Sequence, residues 1–150
     1  MAGRIDARLK ELGLELPEPP KAVANYVPWR ISGDQVFISG QISAGYTGKV
    51  PDEVSPEDAY KAARVSGLSL IAQLRTACEG DLDRVTGVIR LGGFVNCQPD
   101  FAEIPQIING ASDLMVEIFD DPGRHARAAV GAVNLPLNAA VEVEGVFEIR

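Results

Sequence analysis

The sequence predicts an α+β domain in which a mixed β-sheet carries two helices on one face. Three observations predict it. Apolar runs with strand alternation interleave with two stretches of helical periodicity, opening on a hairpin and giving the order β-α-β-α-β-β. The 150 residues match the typical length of one domain, about 150 residues. Neither a repeat nor a low-complexity tract nor an interdomain linker divides them, so residues 1–150 read as one unit, with 1–20 as an amino-terminal helix and arm.

In the first 13 residues, Ile5, Leu9 and Leu12 fall at i, i+4 and i+7, and Gly13 can end that helix. Pro17, Pro19 and Pro20 make Leu16–Lys21 an extended arm that cannot donate hydrogen bonds at those sites. Val23–Ile31 and Val36–Ile42 read as two strands joined by a turn at Gly33-Asp34, and Pro28 suits the first to an edge. Ala44–Val54 is a loop rich in Gly, Pro and Asp.

Ser55 then offers an N-cap, Pro56 fits the first helical position, and Glu57 and Asp58 favour the positive end of the helix dipole. Ala59, Ala62, Ala63, Ser66, Leu70, Leu74 and Ala77 recur at helical spacing up to Gly80. Val85–Val95 is the next strand, where Gly92-Gly93 predicts a bulge or a close approach. A second helix is expected from Pro105 to Phe119, burying Ile107, Ile108, Ala111, Leu114, Met115 and Ile118. Strands at Arg127–Leu135 and Ala139–Ile149 flank a break at Pro136. With both helices on one face, the other face is available for self-association.

Composition narrows the function. The hydrophobic fraction of 46% and charged fraction of 23% are those of a folded globular chain. The amino terminus lacks the apolar core of a signal peptide and no run is long enough to span a bilayer, so a cytoplasmic protein without membrane partners is expected. Cys78 and Cys97 read as reduced thiols. A net charge of −7 opposes nucleic acid as a partner, since affinity for phosphates comes from Lys and Arg. One histidine, His125, and two distant thiols make a poor ligand set, and no metal is predicted.

Ser39-Gly40-Gln41 at a strand end, with Tyr26 on the strand before it, resembles one block of the Rid (YjgF-like) family of reactive-intermediate deaminases. Ala126-Arg127-Ala128-Ala129-Val130, then Leu135-Pro136, then Val141-Glu142-Val143-Glu144, resembles another, and the spacing from Arg127 to Glu142 agrees without a gap. The likeness covers roughly residues 20–150, and the terminal block is the specific part. It implies a chorismate-mutase-like fold, a homotrimer with ligand clefts between subunits, and no cofactor. It also implies hydrolysis of 2-imino or enamine acids, such as 2-aminoacrylate and 2-iminopropionate, to 2-oxo acids and ammonia. In this chain the resemblance makes Tyr26, Ser39, Gly40, Arg127 and Ala129 pocket residues, with Arg127 and Glu142 catalytic.

The residue types suit that chemistry. A 2-imino acid carries a carboxylate beside its C=N bond, and the planar guanidinium of Arg127 can grip it with two parallel charge-assisted bonds. Holding the substrate and a water in place can remove up to roughly 7–11 kcal/mol of barrier. Glu142 can orient that water or take its proton. The chain departs from the better-known deaminases at Ala129, where many carry a cysteine, so thiol chemistry is excluded there. A longer Phe101–Phe119 region and the segments Gly92–Cys97 and Asn109–Asp113 mark a distinct subgroup.

Plainer readings stand beside these. Arg127 could pair with a surface acid, Glu142 could belong to a solvated strand face, and Tyr26 could be a half-buried aromatic. Ser39 has no visible histidine partner, because His125 is expected in an exposed loop spanning Asp120–His125. Cys97 reads as a small buried residue and Asp120-Asp121 as a solvated helix end. Three other functions compete: a non-catalytic trimeric binder of small carboxylates, an endoribonuclease, and, from fold alone, a chorismate mutase.

Overall fold

A computed structural model describes residues 3–150, so the first two positions of the expected amino-terminal helix lie outside the described residues. Helix α1 (Arg4–Glu11) buries Ile5 and Leu9, and the chain leaves it through Gly13 at φ +68°. Its N-cap, Gly3, has no side chain to satisfy the first amides. Asp83 does so from across the fold, accepting hydrogen bonds from the backbone N–H of Arg4 (2.8 Å) and Ile5 (2.9 Å).

These two amide bonds hold the Asp83 carboxyl below its ordinary value of 3.8. A carboxyl depressed in the folded state stabilises fully above its unfolded value, and the contribution is lost as pH falls through the folded one. Protection of the Arg4 and Ile5 amides from hydrogen exchange is therefore expected to fall as pH drops below 3.8, and to fall at all pH values in Asp83→Ala. Full protection in that variant would mean that the helix is docked without Asp83, by Ile5 and Leu9 in the core and by the bonds that Arg8 donates to Glu117 O and Arg75 to Asp6.

Strand β1 is Trp29–Ser32, shorter than the predicted Val23–Ile31. Pro28 has no N–H to offer a ladder, and the chain before it bends, with Tyr26 N–H donating to Ala24 O at 3.0 Å. Tyr26 thus lies in a bend and not on a strand. A turn with Gly33 at φ +62° leads into β2 (Gln35–Ile42).

Helix α2 (Pro56–Ala77) begins as predicted, with Ser55 Oγ accepting from Asp58 N–H at 3.1 Å. Its expected apolar stripe is buried, and Gly80 follows at φ +92°. Helix α3 (Ile104–Phe119) holds Pro105 in its first turn and buries all six predicted residues. The two helices touch backbone to backbone at Gly110, where an added Cβ would stand 2.1 Å from the Tyr60 carbonyl oxygen.

Strands β3 (Val85–Asn96), β4 (Ala126–Ala132) and β5 (Val141–Ile149) complete a five-stranded sheet in the order β1-β2-β5-β3-β4. β3 and β4 run parallel and the other pairs antiparallel, so the sheet is mixed as predicted. Of the bulge or close approach predicted at Gly92-Gly93, the bulge is absent: register shifts fall earlier, at Val85/Gly87 and Val88/Arg90. The paired glycines instead admit neighbouring side chains, since a Cβ at Gly93 would meet Ile108 at 2.6 Å and one at Gly92 would meet Glu144 at 2.9 Å.

The last two strands are shorter than predicted, because the chain crosses from Val133 to Ala140 as a connection around Pro136. Asn96, fully buried, anchors that connection by donating to Asn138 Oδ1 and Ala139 O, and it accepts from Lys49 Nζ.

Both long helices cover one face of the sheet. Val36, Ile38, Leu91, Val95, Val141, Val143 and Phe147 are buried beneath them. The opposite face leaves Phe37 and Val130 exposed.

Candidate functional site

The candidate residues fall into two groups on opposite faces of the sheet. The first lies where β2 meets β5. Alternation sends Val141 and Val143 into the core and Glu142 to the open face, in register with Ile42 and Phe94. The Glu142 carboxylate rests against Gly40, where a Cβ would lie 2.5 Å from Oε1. A larger residue there would push the carboxylate aside.

A shift in the β2 register between Ile38 and Gln41 lifts Ser39-Gly40 out of the regular ladder. Ser39 Oγ donates to Val27 O at 2.7 Å and Ser39 N–H to Pro28 O at 2.9 Å, fixing the bend that carries Tyr26. Tyr26 is 48% exposed. Burial, and then the nearby Glu144 charge, raise the Glu142 carboxyl above its ordinary 4.5.

The second group lies on β4, an outer strand of the sheet. Arg127 is in register with Leu91, and so projects on the helix-covered face. Its Nη1 donates to Ser112 Oγ and its Nη2 to Pro105 O, both at 3.1 Å. No carboxylate pairs with it among the described residues. Ala129, two residues on, packs against the core from the same face.

Leu91 and Phe94 are three apart on β3 with no register shift between them, so their sheet partners Arg127 and Glu142 point to opposite sides. One copy of the chain does not bring these two side chains together.

His125 was expected in an exposed loop; it is half-buried. Its Nδ1 lies 2.6 Å from Gly123 O and its Nε2 2.8 Å from Ser112 Oγ. Ser112 thus stands between His125 and Arg127, and sequence reasoning missed both neighbours. The available signal was the two-residue spacing of His125 and Arg127, which puts both on one side of an extended chain. Ser112, in mid-helix, gave none.

Ser39 has no histidine beside it, since His125 is engaged elsewhere. Cys78 and Cys97 are free and buried. No group of three or more metal-ligating side chains gathers among the described residues, and none of their helices is long and apolar enough to cross a membrane.

A family model described as "YjgF/chorismate mutase-like, putative endoribonuclease" matches residues 6–148. The chain belongs to this YjgF-like family. The Rid resemblance read from the terminal block therefore holds, and with it the chorismate-mutase-like fold.

The YjgF-like chain is 40% identical to Protein TCP17 of Trypanosoma cruzi over 155 residues, covering 99% of this chain and 96% of that one. It is also similar to a crystal structure of a protein of unknown function from Agrobacterium tumefaciens. That similarity amounts to 44% identity and a TM-score of 0.91, over 97% of this chain and 92% of the other. A more distant relative is the 2-iminobutanoate/2-iminopropanoate deaminase of Dermatophagoides farinae. It is 25% identical over 143 residues, 91% of this chain and 95% of the relative.

Proposed function

We propose that this YjgF-like chain hydrolyses small 2-imino or enamine acids to 2-oxo acids and ammonia, in a cleft completed between two copies in a homotrimer. The observation that carries the reading is Arg127: half-buried at a sheet edge, held by neutral acceptors, with its charge opposed by no protein carboxylate. A guanidinium so placed suits a small planar carboxylate. The deaminase name of the Dermatophagoides relative supports the imine as the group beside that carboxylate.

Water adds to the imine carbon, the C–N bond breaks, and nitrogen leaves as ammonia, so atoms balance without an oxidant or a cofactor. Glu142 of a neighbouring copy supplies the proton acceptor, flanked by Tyr26, Ser39 and Gly40 of that same copy. A carboxyl raised toward neutrality exchanges protons more readily than an ordinary one. The reaction belongs in the cytoplasm, where enzymes that eliminate from serine and threonine release such imines.

The test generates 2-iminopropionate with an amino-acid oxidase and follows its decay. Wild-type protein is expected to accelerate the decay and Arg127→Ala to abolish the acceleration. No acceleration by wild type, or full rate in the variant, overturns the reading.

Glu142→Gln should separate catalysis from stability. A carboxyl raised in the folded state destabilises the fold above its folded value, and the penalty vanishes below its unfolded one. The variant is thus expected to melt at a higher temperature than wild type at pH 7 while turning over imine more slowly. A lower melting temperature would show that the carboxylate is a structural group.

Ala129 favours a second reading, a trimeric carboxylate binder without turnover, because it leaves that position without a reactive group. Calorimetry with pyruvate, 2-oxobutyrate and benzoate distinguishes the two: binding through Arg127 with no imine decay selects the binder. The endoribonuclease in the family's description is opposed by the net charge of −7.

A further inference from the structure

Gly123 O can only accept a hydrogen bond, so His125 Nδ1, 2.6 Å away, carries the proton that it receives. In the neutral ring Nε2 is then an acceptor, and Ser112 Oγ, 2.8 Å from it, is the donor. With its one hydrogen committed to His125, Ser112 Oγ turns its lone pairs outward, and Arg127 Nη1 donates to them at 3.1 Å. The chain of donors runs in one direction, from Arg127 through Ser112 and His125 to the Gly123 carbonyl. Pro105 O, accepting from Nη2 at 3.1 Å, holds the other arm of the guanidinium.

Each link has a structural origin. Ser112 stands midway along α3, over the edge strand, and Pro105 lies in the first turn of the same helix. His125 immediately precedes β4, so the strand that positions Arg127 also sets its distance from the ring. Gly123 is buried where the chain leaves α3, and a Cβ there would stand 2.3 Å from Met115 O. A glycine is needed for its carbonyl to reach the ring from that turn.

We propose that Ser112 and His125 are positioning residues for Arg127, a directional hydrogen-bond relay that fixes the guanidinium plane for a planar carboxylate ligand. The identity of that ligand rests on the function proposed above; the relay itself does not. The device leaves the arginine its whole charge, because every partner in it is neutral. Burial lowers the His125 pKa, and the neighbouring Arg127 charge acts the same way, which keeps the ring in the neutral form that accepts from Ser112. An acid in the place of Ser112 would hold the guanidinium as firmly, but it would compete with a carboxylate ligand. A hydroxyl orients without competing.

The proposal is tested on the full chain in two arms. The first needs no ligand. Imidazole 15N resonances of His125 are expected to show the neutral tautomer protonated at Nδ1, and Ser112→Ala is expected to shift the Arg127 side-chain resonances. A ring protonated at Nε2, or Arg127 resonances unmoved by Ser112→Ala, overturns the relay whatever the protein binds.

The second arm measures binding of benzoate and 2-oxobutyrate by calorimetry. Loss of one hydrogen bond to a charged group predicts about tenfold weaker binding in Ser112→Ala. Ser112→Thr, which keeps the hydroxyl, should restore affinity, and His125→Ala should weaken binding in the same direction. For imine turnover the loss should appear mainly in KM, with kcat moved less, because the clamp acts in ground and transition states alike.

Full affinity in a folded Ser112→Ala protein overturns the proposal, as does failure of threonine to rescue a folded variant. If wild type binds neither carboxylate, the ligand reading falls while the first arm still decides the relay.

Discussion

Two inactive variants, Arg127→Ala and Glu142→Gln, are expected to regain activity when their subunits are mixed. Each variant alone is expected to retain no more than about a hundredth of wild-type turnover, the scale of losing charge-assisted hydrogen bonds to the reacting molecule. Arg127 and Glu142 leave the sheet on opposite faces, on β4 and β5 with β3 between them. A small acid that touches both must therefore take them from different copies. In a ring assembled at random from equal amounts of the two variants, a site needs an intact Arg127 from one copy and an intact Glu142 from the next. That condition is met in about a quarter of sites. Co-refolding the variants and following 2-iminopropionate decay checks this. No recovery in a correctly assembled mixture would put both groups on one copy, or would remove Glu142 from the chemistry.

The largest loss of stability is expected from Gly110→Ala. The added methyl would stand 2.1 Å from the Tyr60 carbonyl oxygen and 3.1 Å from the Ala63 Cβ, so the contact is with backbone and cannot be relieved by a rotamer. Helices α2 and α3 would have to separate, and their shared layer buries Leu70, Leu74, Ala111, Leu114 and Ile118. Overpacking of this kind costs about 1–3 kcal/mol and sometimes more. At this chain length, each kcal/mol lowers the melting temperature by roughly 2–4 °C. A fall of about 2–12 °C, read at fixed protein concentration, is the expected result.

Gly67→Ala provides the contrast. Its nearest neighbour is the flexible end of Leu114 at 2.8 Å, which can rotate away, and a smaller fall is expected. Equal effects at the two positions would show that the helices do not meet most closely at Gly110.

Most of the fold was legible from local chemistry. Ser55, Pro56 and the acidic pair behind them marked the start of α2 because capping is a property of a few adjacent residues. The apolar spacing of α3 named six of its buried residues and left out Gly110 and Phe119. The strand ends were not legible. At Val23–Pro28 the β-branched residues suggested a strand, but a strand exists only where a partner receives its ladder bonds, and pairing with β2 begins at Trp29.

The candidate site was readable as a set of residues and not as an arrangement. Alternation along β5 separated Glu142 from Val141 and Val143 correctly. The opposition of Arg127 and Glu142 depends on the register of three strands, which only the assembled sheet fixes. His125 looked solvated because Asp120-Asp121-Pro122-Gly123 reads as a turn. The ring folds back onto Ser112, 13 positions earlier, and nothing local in the sequence records that contact.

The two borders of the sheet are unequally protected. β1 is four residues long and enters through Pro28, so it offers a stray strand little to join. β4 presents seven residues, mostly alanine, with neither proline nor lysine among them, and no strand pairs with its outer side among the described residues. Single subunits would present that ribbon to any extended peptide. Their shelf life in solution should then be limited by clumping along this border before any loss of the core.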